Sequence, residues 1–197
     1  PGIGRRLGFD VVRTRIGSPY VIEGMADARA RGYGRIVGFE ANGGLLLGSE
    51  AIIGKASLAA LPTRDSVLPI LCALAASREA GVPLSRLVES LDLPVCLSGR
   101  IENFPRTDSG RLMAWLRASS ANLDRFVAGL GEIAYVDETD GLQMHLKDGS
   151  MIHLRPSGNA PEMRCYASSG DAARAAGLLR SGLERIANFR DFVGDAN

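Results

Sequence analysis

The chain's 197 residues leave room for two small domains, and a 46% hydrophobic composition suffices to build a core in each. Its formal net charge is +1; residues 1–91 carry 11 basic and 8 acidic side chains (+3) and residues 92–197 carry 12 and 14 (−2), a balance that, with 6% aromatics, excludes a polyelectrolyte role and disfavours a dedicated nucleic-acid binder. Cys72, Cys96 and Cys165 have neither disulfide nor metal-ligand spacing, which favours a reducing compartment, and the longest apolar run, residues 67–76, is far short of the ~20 residues of a membrane span; the expected location is the cytoplasm, with no membrane partner.

In chain order, residues 9–16 read as a strand and residues 19–31 as a helix. Strands over 36–39 and 45–47 flank a Gly-rich turn. Residues 65–80 read as a helix with Asp65 at its N-cap, Pro69 in the first turn where a missing N–H costs little, and Gly81 as its stop. A short helix over 83–91 runs into Asp92-Leu93-Pro94, the best linker, which sets domains of 1–91 and 92–197. A strand over 98–104 follows, then one or two helices over 108–129, where Trp115 shares a face with Leu112 and Leu116 and is expected in the core.

Gly141 to Lys147 and Ser150 to Leu154 alternate in character about Asp148-Gly149, the signature of a hairpin that puts Leu142, Met144 and Leu146 on one face, and Ile152 and Leu154 together on the next strand. Residues 162–167 return as a strand. Residues 171–189 close the chain as a helix with an apolar stripe of Ala172, Ala175, Ala176, Leu179, Leu183 and Ile186. The class is α/β followed by α+β, the second part an antiparallel sheet backed by helices. His145 and His153 have no carboxylate cluster beside them and are expected as surface strand residues.

Where the sheet strand ends, Arg155-Pro156-Ser157-Gly158-Asn159 concentrates donors: a guanidinium fork suited to phosphate oxygens, a hydroxyl, an amide, and a glycine that lets backbone N–H groups approach an oxyanion. Arg164 follows after the turn. Residue types alone leave open a phosphate site or a tight interstrand loop with a surface arginine.

Arg155, Pro156, Ser157, Gly158, Pro161, Arg164 and Tyr166 resemble the Arg-Pro-Ser-Gly-Thr-Glu-Pro run, arginine and Val-Tyr of the alpha-D-phosphohexomutases, the phosphomannomutase and phosphoglucomutase family. Asn159 stands for the threonine and Ala160 for the glutamate. Upstream, Gly38-Phe39-Glu40-Ala41-Asn42-Gly43 resembles the family's sugar loop, Gly-Glu-x-Ser-Gly: Glu40 and Gly43 match, Phe39 replaces the first glycine and Asn42 the serine. A carboxylate and an amide there can hold adjacent sugar hydroxyls, and a carboxylate on a Gly-rich loop is expected to be exposed. Thr14-Arg15-Ile16-Gly17 resembles the Thr-Lys-x-Gly segment, with Arg15 for the lysine; Ser18 lies near where some relatives carry a histidine, so Arg15 and Ser18 are possible supporting residues.

The resemblance implies a truncated three-layer α/β/α third domain over 1–91 and a TATA-binding-protein-like C-terminal domain over 92–197. It implies phosphate binding by Arg155, Ser157, Gly158, Asn159 and Arg164, and sugar binding by Glu40, Asn42 and Gly43. The implied reaction interconverts hexose 6-phosphate and hexose 1-phosphate through a bisphosphate intermediate. The family's phosphoserine loop and its Asp-rich Mg²⁺ loop have no counterpart here: Asp137-Glu138-Thr139-Asp140-Gly141 lacks the spacing and reads as a turn. With Pro1 and no initiator Met, the chain is expected to be the C-terminal half of a mutase, with no catalytic or metal residue of its own. It would partner the N-terminal domains and a hexose phosphate, and be inactive alone. The alternative is a stand-alone phosphosugar-binding or regulatory module.

Overall fold

The computed structural model describes residues 4, 7–53 and 55–193. It separates into two compact units, Pro1–Asp92 and Leu93–Asn197.

In the first unit, α1 (Ser18–Ala30) begins with a proline in its first turn, where no N–H is needed. Strands β1 (Val37–Phe39), β2 (Leu45–Leu47) and β5 (Leu61–Asp65) form an antiparallel sheet in the order β1-β2-β5, and β3 (Ala51–Ile53) pairs with β4 (Ala56–Leu58) as a separate hairpin. The core is small: Val21 and Met25 of α1 rest on Ile36 and Leu46. Asp65 caps α2 (Val67–Ala80) by accepting hydrogen bonds from the backbone N–H of Val67 (2.7 Å) and Leu68 (3.2 Å), and Gly81 ends that helix in the left-handed conformation. A short α3 (Leu84–Glu89) follows. Although α2 is strongly apolar, none of its residues is buried.

The strand expected over residues 9–16 is not formed. The segment joins no ladder among the described residues and most of it is exposed. An alternating apolar pattern makes a strand only where a neighbour takes up its N–H and C=O groups.

The second unit is built on five antiparallel strands in the order β6-β10-β9-β8-β7, from β6 (Val95–Ile101), β7 (Ile133–Asp137), β8 (Leu142–Leu146), β9 (Met151–Pro156) and β10 (Met163–Ser169). Helices α4 (Arg106–Ala118), α5 (Ser120–Val127) and α6 (Ala172–Ala187) pack against the sheet, and a last turn, α7 (Arg190–Val193), follows. The core joins Leu112, Leu116 and Phe126 to Leu142, Met144, Ile152, Leu154 and Met163, with Leu178 and Ile186 from α6. Trp115 packs at the margin of this core, as its helical spacing predicts.

The hairpin forms in the expected register, Leu142 opposite Leu154 and Met144 opposite Ile152. Of the one or two helices expected over 108–129 the structure forms two, separated at Ser119, whose backbone is extended and whose hydroxyl accepts the Asn122 N–H to start α5. Strand β6 begins and ends three residues before the expected span; Asn103, at φ 53°, turns the chain so that Phe104 can bury its ring against Phe189. Strand β7, an edge, was not foreseen.

The stripe of α6 is also rotated from expectation. Ala175, Leu178, Gly182 and Ile186 are buried, whereas Ala172 and Ala176 are exposed. Gly182 is why: a Cβ there would stand 2.6 Å from Cys165 Sγ, so the helix rides closest to the sheet at a residue with no side chain to signal it. Burial raises the Cys165 thiol to about 12, leaving it an inert packing group. Among the described residues, no helix is long and apolar enough to cross a membrane.

Phe126, fully buried, anchors the second unit, whereas Leu74 on α2 is 55% exposed. Phe126→Ala is expected to cost about 3–5 kcal/mol in urea unfolding followed by Trp115 emission, and Leu74→Ala to stay within about 0.5 kcal/mol by circular dichroism.

Candidate functional site

Two loops carry the candidate residues, one in each unit. In the first, Glu40 and Gly44 close a turn between β1 and β2: the Glu40 N–H donates to the Gly44 carbonyl (2.9 Å) and the Gly43 N–H to the Glu40 carbonyl (3.0 Å), with Gly43 at φ 89°. Asn42 is partly spent on the turn itself, its Oδ1 accepting the Gly44 N–H at 3.0 Å.

Glu40 is not the exposed carboxylate that the Gly-rich setting suggested. Its side chain is only 8% exposed. The Ser18 hydroxyl, at the start of α1, donates to Glu40 Oε2 at 3.0 Å, and Arg64 of β5 lies 3.9 Å from the same oxygen. Both partners come from elements brought together by the α1-to-sheet packing, 22 and 24 residues away in sequence, which is why the sequence around Glu40 gave no sign of them. Ser18 is thus beside Glu40, but Arg15 is turned elsewhere: its guanidinium stacks 3.9 Å over the Tyr20 ring.

The second loop connects β9 to β10. It is closed by the Ser157 N–H donating to the Glu162 carbonyl (2.9 Å) and the Glu162 N–H to the Ala160 carbonyl (2.8 Å). Ser157 is buried, while Gly158 is exposed with open space where a Cβ would project. Two further bonds tie the loop to the start of α4: the Phe104 N–H to the Pro161 carbonyl (2.8 Å) and an Arg106 guanidinium N–H to the Gly158 carbonyl (2.6 Å).

The register sets a row of like charges at the loop's base. Arg164 on β10 lies opposite Arg155 on β9 and opposite Arg100 on β6. Directly opposed like charges are unfavourable in a sheet, and carboxylates bracket the row. Glu162 lies 3.6 Å from Arg164 and 3.4 Å from Arg100, and Arg155 NH1 lies 3.6 Å from Asp140 Oδ2. Asp140 Oδ2, Arg155 Nε and Glu162 Oε2 are buried and make no hydrogen bond.

Asp140 is held there by its surroundings. Gly141, at φ 84°, passes so close to β9 that a Cβ would collide with the Leu154 carbonyl, and His153 Nε2 donates to the Asp140 carbonyl at 2.6 Å. An open cavity of about 540 Å³ adjoins Arg155, lined by Gly110, Met113 and Arg117 of α4 and by Asp140 and Gly141; Ser157, Gly158 and Asn159 do not line it.

Among the described residues, no group of three His, Cys, Asp or Glu side chains could hold a metal ion. In the acidic stretch 137–140, Asp137 Oδ1 accepts the Thr139 N–H, Glu138 pairs with Arg117 (2.7 Å) and Asp140 with Arg155. These carboxylates make turn and ion-pair contacts.

Residues 2–93 match the family described as phosphoglucomutase/phosphomannomutase, alpha/beta/alpha domain III. The chain is 53% identical over 182 residues to a phosphomannomutase of Sinorhizobium fredii, covering 92% of this chain and 38% of that protein. The chain belongs to the alpha-D-phosphohexomutase family. A Salmonella muenchen phosphomannomutase is 39% identical over 180 residues, 89% of this chain and 36% of that protein. The chain therefore spans well under half the length of these phosphohexomutases. A solved phosphoglucomutase/phosphomannomutase family protein from Burkholderia thailandensis shares the fold, with a TM-score of 0.64 at 18% identity over 98% of this chain and 35% of that one.

His153 corrects an expectation: it is buried, not a surface residue, and its ring stacks on Tyr166 at 5.1 Å. Burial disfavours its charged form and lowers its pKa, against a smaller upward pull from the Asp140 carbonyl. As pH falls through about 6.5, the unfolded chain therefore takes up the proton first, so stability is full above that pH and lost below it. Urea midpoints of the second unit are expected to drop between pH 7 and pH 5, and His153→Gln to flatten that slope; an unchanged slope would place the titration elsewhere.

Proposed function

We propose that this chain is the substrate-gripping part of a phosphohexomutase, most simply a phosphomannomutase, that interconverts hexose 6-phosphate and hexose 1-phosphate through a bisphosphate intermediate. The observation that carries the reading is the β9–β10 loop. A turn rich in hydrogen-bond donors, with a cationic base and open space over Gly158, occurs in a chain 53% identical to a phosphomannomutase.

In this reading Arg155, Ser157, Gly158, Asn159 and Arg164 hold the phosphate that is not being transferred, and Glu40, Asn42 and Gly43 hold sugar hydroxyls. Glu40 accepts a hydrogen bond from a sugar hydroxyl, its carboxylate orientation already fixed by Ser18. The Asn42 amide retains its NH₂ donors, because the turn uses only its oxygen. Such a clamp accelerates transfer by fixing the reacting oxygen relative to the donor.

The serine that donates and regains the phosphoryl group, and the Mg²⁺ that assists it, are assigned to the part of a longer parent that the relatives have and this chain does not span. On its own the chain would then bind a hexose phosphate without converting it. The same reading makes the first unit part of a three-layer α/β/α domain, supported by the domain III match, and the second a TATA-binding-protein-like domain, supported by its antiparallel sheet with helices packed against it.

Titration of hexose 1-phosphate into wild type, Arg155→Ala and Arg155→Lys tests the grip. Losing a charge-assisted contact of about 1.5–3 kcal/mol is expected to weaken affinity roughly tenfold to over a hundredfold in the alanine variant. Lysine should recover only part, since an ammonium lacks the planar fork. Equal affinity in all three would remove the loop assignment.

A further inference from the structure

Four arginines surround the β9–β10 loop, and they are not equivalent. Arg155 faces Asp140, Arg164 faces Glu162, and Arg100 faces both Glu102 and Glu162. Arg106 is the exception. Among the described residues no carboxylate lies within ion-pair distance of it, and the acid two positions on, Asp108, is shared by Arg111 (3.9 Å) and Arg190 (3.7 Å). Yet Arg106 reaches the loop 52 residues away in sequence and donates to the Gly158 carbonyl at 2.6 Å.

We infer that Arg106 is a further phosphate-binding residue, supplying the uncompensated positive charge at the tip of the β9–β10 loop. The inference rests on the phosphate reading of that loop. One of the five guanidinium N–H donors is used on Gly158, which leaves the others for a ligand. The bond to Gly158 anchors the guanidinium beside Gly158, above which there is open space. An arginine already held in place loses little further freedom when it meets a phosphate oxygen. The other three cations would have to share their charge between the ligand and a protein carboxylate. Among the described residues Arg106 has no such competitor, so a phosphate monoester dianion would be its first counter-ion.

The alternative is that Arg106 merely staples the loop to α4, and two substitutions separate the roles. Arg106→Ala removes both the charge and the bond to Gly158. Arg106→Gln removes the charge but keeps a side-chain N–H donor. Inorganic phosphate is titrated into the full chain, following the backbone amide resonances of residues 157–160 at two salt concentrations, with Arg155→Ala alongside. Both Arg106 variants are expected to bind phosphate roughly tenfold more weakly and with a shallower salt dependence. Because Arg106 is exposed, their ligand-free melting temperatures should match wild type. Wild-type affinity in Arg106→Gln would overturn the inference in favour of the staple. So would wild-type affinity in both Arg106 variants when Arg155→Ala is weakened, which leaves the loop reading intact. Wild-type amides that do not move with phosphate would instead remove the loop reading, and this inference with it.

Discussion

The like-charge row Arg155–Arg164–Arg100, fixed by the register of three adjacent strands, is the constraint around which the second unit's loop is organised. Antiparallel pairing leaves these side chains no choice of neighbour, and opposed cations repel. The chain answers with acids at both ends of the row: Glu162 between Arg164 and Arg100, and Asp140 against Arg155. Each acid is placed by backbone geometry. Glu162 also closes the loop through its carbonyl, and Asp140 is carried in by the close passage of Gly141 along β9. Assembling three cations beside an open turn without an external counter-ion thus requires the surrounding strands to supply the compensation.

That compensation shapes what the loop can do. A carboxylate already beside Arg155 lowers the net gain from binding an anion there, so the site releases its ligand more readily than an uncompensated cluster would. The first unit shows the same economy. Glu40 is sequestered by Ser18 and Arg64 rather than left to solvent, so its carboxylate is oriented within the unit. That arrangement ties Glu40 to stability, because removing the carboxylate would leave the part-buried Ser18 hydroxyl without its acceptor, whereas Arg64, 53% exposed, stays solvated.

Much of the architecture was legible because its signals are local. The Asp148-Gly149 hairpin, the Asp65 cap and the Gly81 stop each follow from residues within a few positions of one another. What escaped depended on partners distant in sequence. Residues 9–16 have the alternation of a strand but no neighbour to pair with. The buried face of α6 turns on Gly182, whose contribution is the absence of a side chain. Of the loops, the donor-rich turn could be read directly from Arg155 to Asn159, but Asp140, Glu162 and Arg106 are recruited by sheet register and helix docking. No spacing rule places Arg106 against Gly158, and none foretells that His153 is buried.

A crystal structure of this chain grown or soaked with hexose 1-phosphate tests the central claim, that the β9–β10 loop is the phosphate grip. The account predicts the phosphate group at the tip of that loop, bonded by the Ser157–Asn159 segment and in reach of Arg106, with Arg155 shared between it and Asp140. A phosphate bound elsewhere on the second unit, with the loop empty and Arg155 still facing only Asp140, would contradict it.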